Sequence, residues 1–185
     1  SDLDNEQLGM TRFLCSQAVA LAMKGIPAIY FHSLCGTPND LEGYKKTKRN
    51  RTVNRRKWQQ SELETLLDQK ETLPSQIFQW YLRTLRVRAG CPAFHPEAHQ
   101  EIINLGASVF ALRRDTVDGG LTVFCLFNFT SGEITVKKMK EINDVFPSGK
   151  ARELISGGEI EWAGPKKSGG ILTLRPYQAI WLSSS

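Results

Sequence analysis

The stretch Gly25-Ile26-Pro27-Ala28-Ile29-Tyr30-Phe31 sets the fold class. From Ile26 to His32 the run is apolar and rich in β-forming side chains, and it lies between Gly25 and the polar Ser33. A short apolar run without alternation predicts a strand covered on both faces. Upstream, Leu8, Phe13, Leu14, Ala18, Val19, Leu21 and Ala22 recur at roughly helical spacing between Glu6 and Lys24, which predicts a helix that Gly25 stops. A helix followed at once by a buried strand is one αβ step of a parallel sheet.

Downstream, Leu34 to Trp58 has no sustained period, and Gly36, Pro38, Asn39 and Gly43 mark a long loop. Ser61-Glu62-Leu63-Glu64 has the form of a capping box and predicts a short helix to about Gln69. Pro74 and Ser75 open another helix, with Ile77, Phe78, Tyr81, Leu82 and Leu85 on its apolar face and Gly90 with Pro92 at its end. After Pro96 short runs follow at Ile102-Leu105, Ser108-Arg113, Leu121-Asn128, Glu133-Lys138, Ala151-Leu154, Gly170-Leu174 and Ala179-Leu182. Turn residues such as Asp118-Gly119-Gly120 and Gly157-Gly158 separate them, so the pattern predicts an antiparallel sandwich or barrel. The fold class expected is α+β, with a helical part over residues 1–96 and an all-β part over residues 97–185.

A chain of 185 residues with 41% hydrophobic side chains can bury a real core. No apolar run approaches the ~20 residues that cross a bilayer, so no membrane contact is expected. The net charge of +5 is unevenly placed. Lys45, Lys46, Lys48, Arg49, Arg51, Arg55, Arg56 and Lys57 lie together with no acid among them, and the remainder of the chain is net acidic. Such a run could neutralise phosphates of a nucleic acid, yet only Tyr44 and Trp58 flank it and no recognition motif surrounds it. Nucleic acid is therefore not expected as a partner. Cys15, Cys35, Cys91 and Cys125 fit neither a disulfide scaffold nor zinc spacing, which reads as free, mostly buried thiols in a reducing cytoplasm. No metal and no cofactor are called for.

Arg12 to Phe31, with Gly-Ile-Pro-Ala-Ile-Tyr at its heart, resembles the seventh helix and eighth strand of the alpha-amylase superfamily, glycoside hydrolase family 13. The continuation through Asn39-Asp40-Leu41-Glu42, Lys46-Thr47 and Arg49-Asn50-Arg51-Thr52-Val53-Asn54-Arg55 is similar to its sucrose phosphorylase branch. The resemblance spans residues 8 to 96 by motif. It implies the last part of a (β/α)8 barrel, comprising the seventh helix, eighth strand, long basic loop and eighth helix, followed by a C-terminal all-β domain. It also implies a retaining enzyme that moves a glucosyl unit from an α-glucoside to phosphate, or to water in an α-glucosidase or amylase-type relative.

Retaining glucosyl transfer needs two carboxyl groups held ~5 Å apart. Among the acids, Asp40 and Glu42 sit in the loop, Glu62 and Glu64 are explained by capping, and Asp115 and Asp118 flank a turn. The family's nucleophile and acid motifs lie upstream of the Gly-Ile-Pro strand and do not occur here, so the expected catalytic set is empty and the chain alone is expected to be inactive. The resemblance carries Arg51 over as the residue that pairs with an upstream Asp and holds the glucosyl ring, a task suited to a guanidinium fork. Without the resemblance, Arg51 is an exposed cation in a solvated run. Asn39 and Asp40 border the acceptor or phosphate site on the same reading, and a turn explains them equally well. His32, just past the strand, is either a barrel-mouth residue or a structural hydrogen-bonding one. Trp162, Trp181, Tyr177, Phe124, Phe127, Phe129 and Phe146 could stack on sugars, which would make the chain a carbohydrate-binding or interaction module; alternating strands favour a place in the core. An apolar strand taken from a closed barrel exposes its edges, so self-association through Ile26 to Phe31 is expected.

Overall fold

The computed structural model describes residues 2–137, 139–162 and 170–184. The chain gathers into two compact units, Ser1–Pro27 with Thr84–Ser185 and Ala28–Arg83. In the first, helix α1 (Asp2–Ala22) buries Cys15, Ala18, Leu21 and Ala22 along one stripe, the spacing of a single helix face. Gly25 follows with φ of 111°, a left-handed conformation that ends the helical path. The segments α2 (Phe31–Leu34), α3 (Leu41–Thr47) and α4 (Gln60–Asp68) belong to the second unit. Helix α5 (Leu73–Gly90) passes from the second unit into the first.

Among the described residues the β part forms two antiparallel sheets. One has the order β1-β2-β3-β8-β5-β6 and the other pairs β4 with β7. Their ranges are β1 His99–Ile102, β2 Val109–Asp115, β3 Thr122–Asn128, β4 Ile134–Val136, β5 Lys150–Glu153, β6 Glu159–Glu161, β7 Leu172–Leu174 and β8 Ala179–Ser183. Phe124, Leu126, Ile180 and Leu182 of the larger sheet and Val136, Leu172 and Leu174 of the smaller one share a single core with α6 (Lys140–Val145). This is a β-sandwich following a helical part, the α+β arrangement expected. Strand β3 is buried along its whole length because its other face is also covered, with Phe94 packed 4.6 Å from Trp181, the partner of Cys125 on β8. That double burial is why the sequence there is a continuous apolar run rather than an alternating one.

Several local expectations are corrected. Ile26 to Phe31 is not a strand: residues 26–30 lie outside any ladder and Phe31 opens α2. Tyr30 is extended, at φ −72° and ψ 134°, but no described strand pairs with the segment, and a strand exists only through a neighbour's hydrogen bonds. Ile26 is 86% exposed as a result. The long loop contains α3 and a 3-10 turn at Asn50–Thr52. Ser61 is not a cap; α4 begins at Gln60 and Gln59 precedes it without a side-chain cap. Strand β1 ends where a strand from Ile102 to Leu105 was expected, although Ile103 and Leu105 are buried in the core. Glu159–Glu161 and Lys140–Val145 carry too few apolar residues to announce themselves, and Lys138 lies outside the described residues. The aromatic residues take the place in the core that the alternating strands favoured: Trp162, Trp181, Phe124, Phe127 and Phe146 are buried, Tyr177 is half-buried, and Phe129 alone of the set is exposed.

Two arginines close the first unit. Arg88 donates to the carbonyls of Leu21 and Gly25, and Arg114 donates to Ala22 at 2.8 Å, His95 at 3.1 Å and His99 at 3.1 Å. Both guanidinium groups lie against the Phe94 ring, at 5.4 and 5.7 Å from its centroid. The last carbonyls of α1 are thus satisfied by cations, which also suit the negative end of the helix dipole.

All four cysteines are free, with Cys15, Cys35 and Cys125 buried. Burial pushes the Cys15 thiol up from 9.0 to about 11, and burial raises Cys125 well above its usual range. The folded state therefore keeps protons that the unfolded chain loses above pH 9. Stability from these thiols is complete below that pH and falls as pH rises from 9 toward 11. Urea midpoints measured across this window should fall, and Cys15→Ala should flatten the decline; a flat wild-type profile would count against the assignment.

Candidate functional site

The unit Ala28–Arg83 carries every residue singled out in the loop. Its chain leaves Tyr30, turns through α2 and reaches Gly36 at φ of 56°, where a Cβ would meet Ile77 Cδ1 at 2.6 Å. Glycine is required there by both the left-handed backbone and the close approach. Beyond it, His32, Thr37 and Trp58 form one network. Trp58 Nε1 donates to Thr37 Oγ1 at 2.9 Å, and the same hydroxyl lies 3.1 Å from His32 Nδ1. The hydroxyl accepts from the indole, so its own proton is available to Nδ1, which favours the tautomer with Nε2 protonated. Tyr30 packs edge-on against His32 at 5.2 Å and donates its hydroxyl to Asn54 O at 3.1 Å.

Asp40 is the cap of α3. Its Oδ1 accepts from Gly43 N at 2.7 Å, and its own N–H donates to Val53 O at 2.8 Å, which closes the loop across its base. A Cβ at Gly43 would lie inside contact distance of the Asp40 carboxylate and 2.8 Å from Thr52 Cγ2, so only glycine fits beneath the cap. Thr47 and Thr52 share a hydroxyl hydrogen bond of 2.8 Å, and Lys48 ends α3 with φ of 55°. The loop is therefore built on internal hydrogen bonds rather than on a sheet.

An open cleft of about 630 Å³ lies on this loop, lined by Asn39, Asp40, Leu41, Glu42, Thr52, Arg55, Arg56 and Lys57. Of the sequence-derived candidates, Asn39 and Asp40 come together on it. Arg51 and His32 do not line it. Arg51 sits exposed in the 3-10 turn, with no ion pair or hydrogen bond to its guanidinium among the described residues. His32 is a half-buried member of the Thr37–Trp58 network. Arg55, Arg56 and Lys57 were visible in the sequence only as part of the basic run. Arg56 is fixed, with Nη2 at 2.6 Å from Glu62 Oε1 and its guanidinium carbon 4.0 Å over the Trp58 ring.

No protein-family model matches the chain. Over 182 residues, 93% of its length, it is 37% identical to a glucosylglycerate phosphorylase of Spirochaeta thermophila, of which it covers 30%. Over 85 residues, 46% of its length, it is 32% identical to a sucrose 6(F)-phosphate phosphorylase of Thermoanaerobacterium thermosaccharolyticum, of which it covers 16%. Among solved structures, the alpha-amylase of Geobacillus thermoleovorans matches the fold with a TM-score of 0.65 at 15% identity, covering 94% of this chain and 33% of that one. The chain therefore spans about 30% of the length of the glucosylglycerate phosphorylases it matches. The helical part with its loop, the β-sandwich that follows it in sequence and the sequence identity to these phosphorylases agree, and the chain belongs to the alpha-amylase family in the branch of the glucosylglycerate and sucrose phosphorylases.

Proposed function

We propose that the protein transfers a glucosyl group from an α-glucoside to inorganic phosphate, with a glucosylated acid such as glucosylglycerate as the donor. The observation that carries this reading is the 37% identity to a glucosylglycerate phosphorylase across 93% of the chain. In it, residues 1–96 complete the wall of a barrel and residues 97–185 form the β domain that follows in sequence. Arg51 reaches the sugar in the innermost subsite and pairs there with a carboxylate supplied from outside these residues; its exposed, unpartnered guanidinium supports that role. The chemistry is double displacement. A carboxylate attacks the anomeric carbon as a second carboxyl group protonates the leaving oxygen, and phosphate then attacks the glucosyl-enzyme.

The 185 residues alone are proposed to be inactive. Several of their carboxylates already hold structure: Asp40 caps α3, Glu42 pairs with Lys45, Glu62 with Arg56, Asp115 with Arg113, and buried Glu153 accepts from three backbone N–H groups. Incubation of the chain with glucosylglycerate and phosphate should give no glucose 1-phosphate, whereas the intact protein should form it and consume phosphate. Glucose released without phosphate consumption would assign the protein to hydrolysis instead.

Self-association belongs to the same proposal, carried by exposed Ile26, Tyr30 and Phe31 rather than by a strand edge. Light scattering that shows a monomer at every concentration would remove it. The free thiols support a reducing, cytoplasmic setting. Among the described residues no helix is long and apolar enough to cross a membrane.

A further inference from the structure

The cleft on the loop separates the eight cations of the basic run into those already compensated and those that are not. Lys45 is paired with Glu42 at 2.9 Å. Arg56 is held between Glu62 and the Trp58 ring. Lys46, Lys48, Arg49 and Arg51 do not line the cleft. Arg55 and Lys57 do, both are exposed, and neither has an ion pair among the described residues. The two carboxylates on the same wall are engaged, Asp40 by Gly43 N–H and Glu42 by Lys45. What the cleft offers an incoming ligand is thus a guanidinium fork and an ammonium, with the exposed Asn39 amide on the same wall.

We infer that Arg55 and Lys57 form an oxyanion site in this cleft, which takes the carboxylate or phosphate group of a substrate. The inference rests on the phosphorylase reading, in which two anions must be accommodated: inorganic phosphate and the acid group of the leaving aglycone. A guanidinium grips two oxygens of a carboxylate or phosphate in parallel, and an ammonium adds a point charge, which is the donor set that planar or tetrahedral oxyanions require. The cleft volume of about 630 Å³ exceeds what either anion fills, leaving room for a glyceryl-sized carbon skeleton beside it. Two backbone bonds brace the loop that carries Arg55: Asp40 N–H to Val53 O at 2.8 Å and Arg55 N–H to Thr52 O at 3.1 Å.

The test is an NMR titration of the 185-residue chain at constant ionic strength with inorganic phosphate, D-glycerate and neutral glycerol. Binding of phosphate or glycerate, with none of glycerol, is expected, and the tighter of the two anions identifies the source of the oxyanion. Arg55→Gln and Lys57→Gln should each weaken it about tenfold, the loss of one charge-assisted contact. Arg55→Lys, which keeps the charge and loses the fork, should fall between. Lys46→Gln and Arg49→Gln, at positions off the cleft, should change it by less than about twofold. Absence of anion binding, or equal losses in all four Gln variants, overturns the site, because the second result marks a diffuse field rather than a place. The two readings fail separately. If the intact protein forms no glucose 1-phosphate while the chain still binds the anion through Arg55 and Lys57, the reaction is wrong and the site stands. If phosphorolysis occurs and neither variant alters anion binding, the site is wrong and the reaction stands.

Discussion

Arg114→Met should lower the stability of the unit that contains the β-sandwich by about 3–5 kcal/mol, close to the limit a domain of this size tolerates. Arg114 is completely buried, and its three nitrogens serve the carbonyls of Ala22, His95 and His99. Methionine fills a similar length but donates nothing, which leaves three inward carbonyls unpaired at about 1–3 kcal/mol each, less whatever water recovers. Arg114→Lys should recover little, because one ammonium cannot reach three acceptors set around a planar fork. Urea denaturation monitored by tryptophan fluorescence reads the loss directly, since Trp181 is packed in the same layer as Phe94. A change below about 1 kcal/mol would mean that the carbonyls are satisfied by other groups.

Asn128→Ala should cost about 2–4 kcal/mol and loosen the smaller sheet first. The Asn128 amide nitrogen donates to Gly132 O at 2.8 Å, Leu174 O at 3.3 Å and Arg175 O at 2.8 Å, while its oxygen accepts from Thr130 N and Thr130 Oγ1, each at 2.8 Å. Those partners stand at the entry to β4 and the exit from β7, so one side chain joins the two sheets. Hydrogen exchange should show lost protection at Ile134–Val136 and Leu172–Leu174 before β2 and β3 are affected. Uniform loss across both sheets would assign Asn128 a global role instead.

Local pattern and long-range pairing contributed differently to this structure. The stripe Cys15, Ala18, Leu21 and Ala22 and the stops at Gly25 and Gly90 were legible because helical period and glycine conformation are properties of neighbours in sequence. The apolar runs of β2, β3 and β8 were legible for the same reason, and so was the sandwich they build. Asn39 and Asp40 were read as loop residues and lie together on the cleft, whereas the basic run gave no sign of which charges would be neutralised. Arg56 differs from Arg55 only in meeting Glu62 and Trp58, which the fold of the loop brings to it. Ile26 to Tyr30 had the composition of a strand and is none, because composition sets a preference while a ladder needs a partner. Arg88 and Arg114 are buried because the exposed carbonyls at the end of α1 had to be met from within, a demand set by residues far away in the chain. The sequence alone determined α1, α5, the apolar strands of the sandwich, the family and the concentration of positive charge. The tertiary structure decided which strands have neighbours, which charges have partners and which remain available to a ligand, since each depends on contacts between residues far apart in the chain.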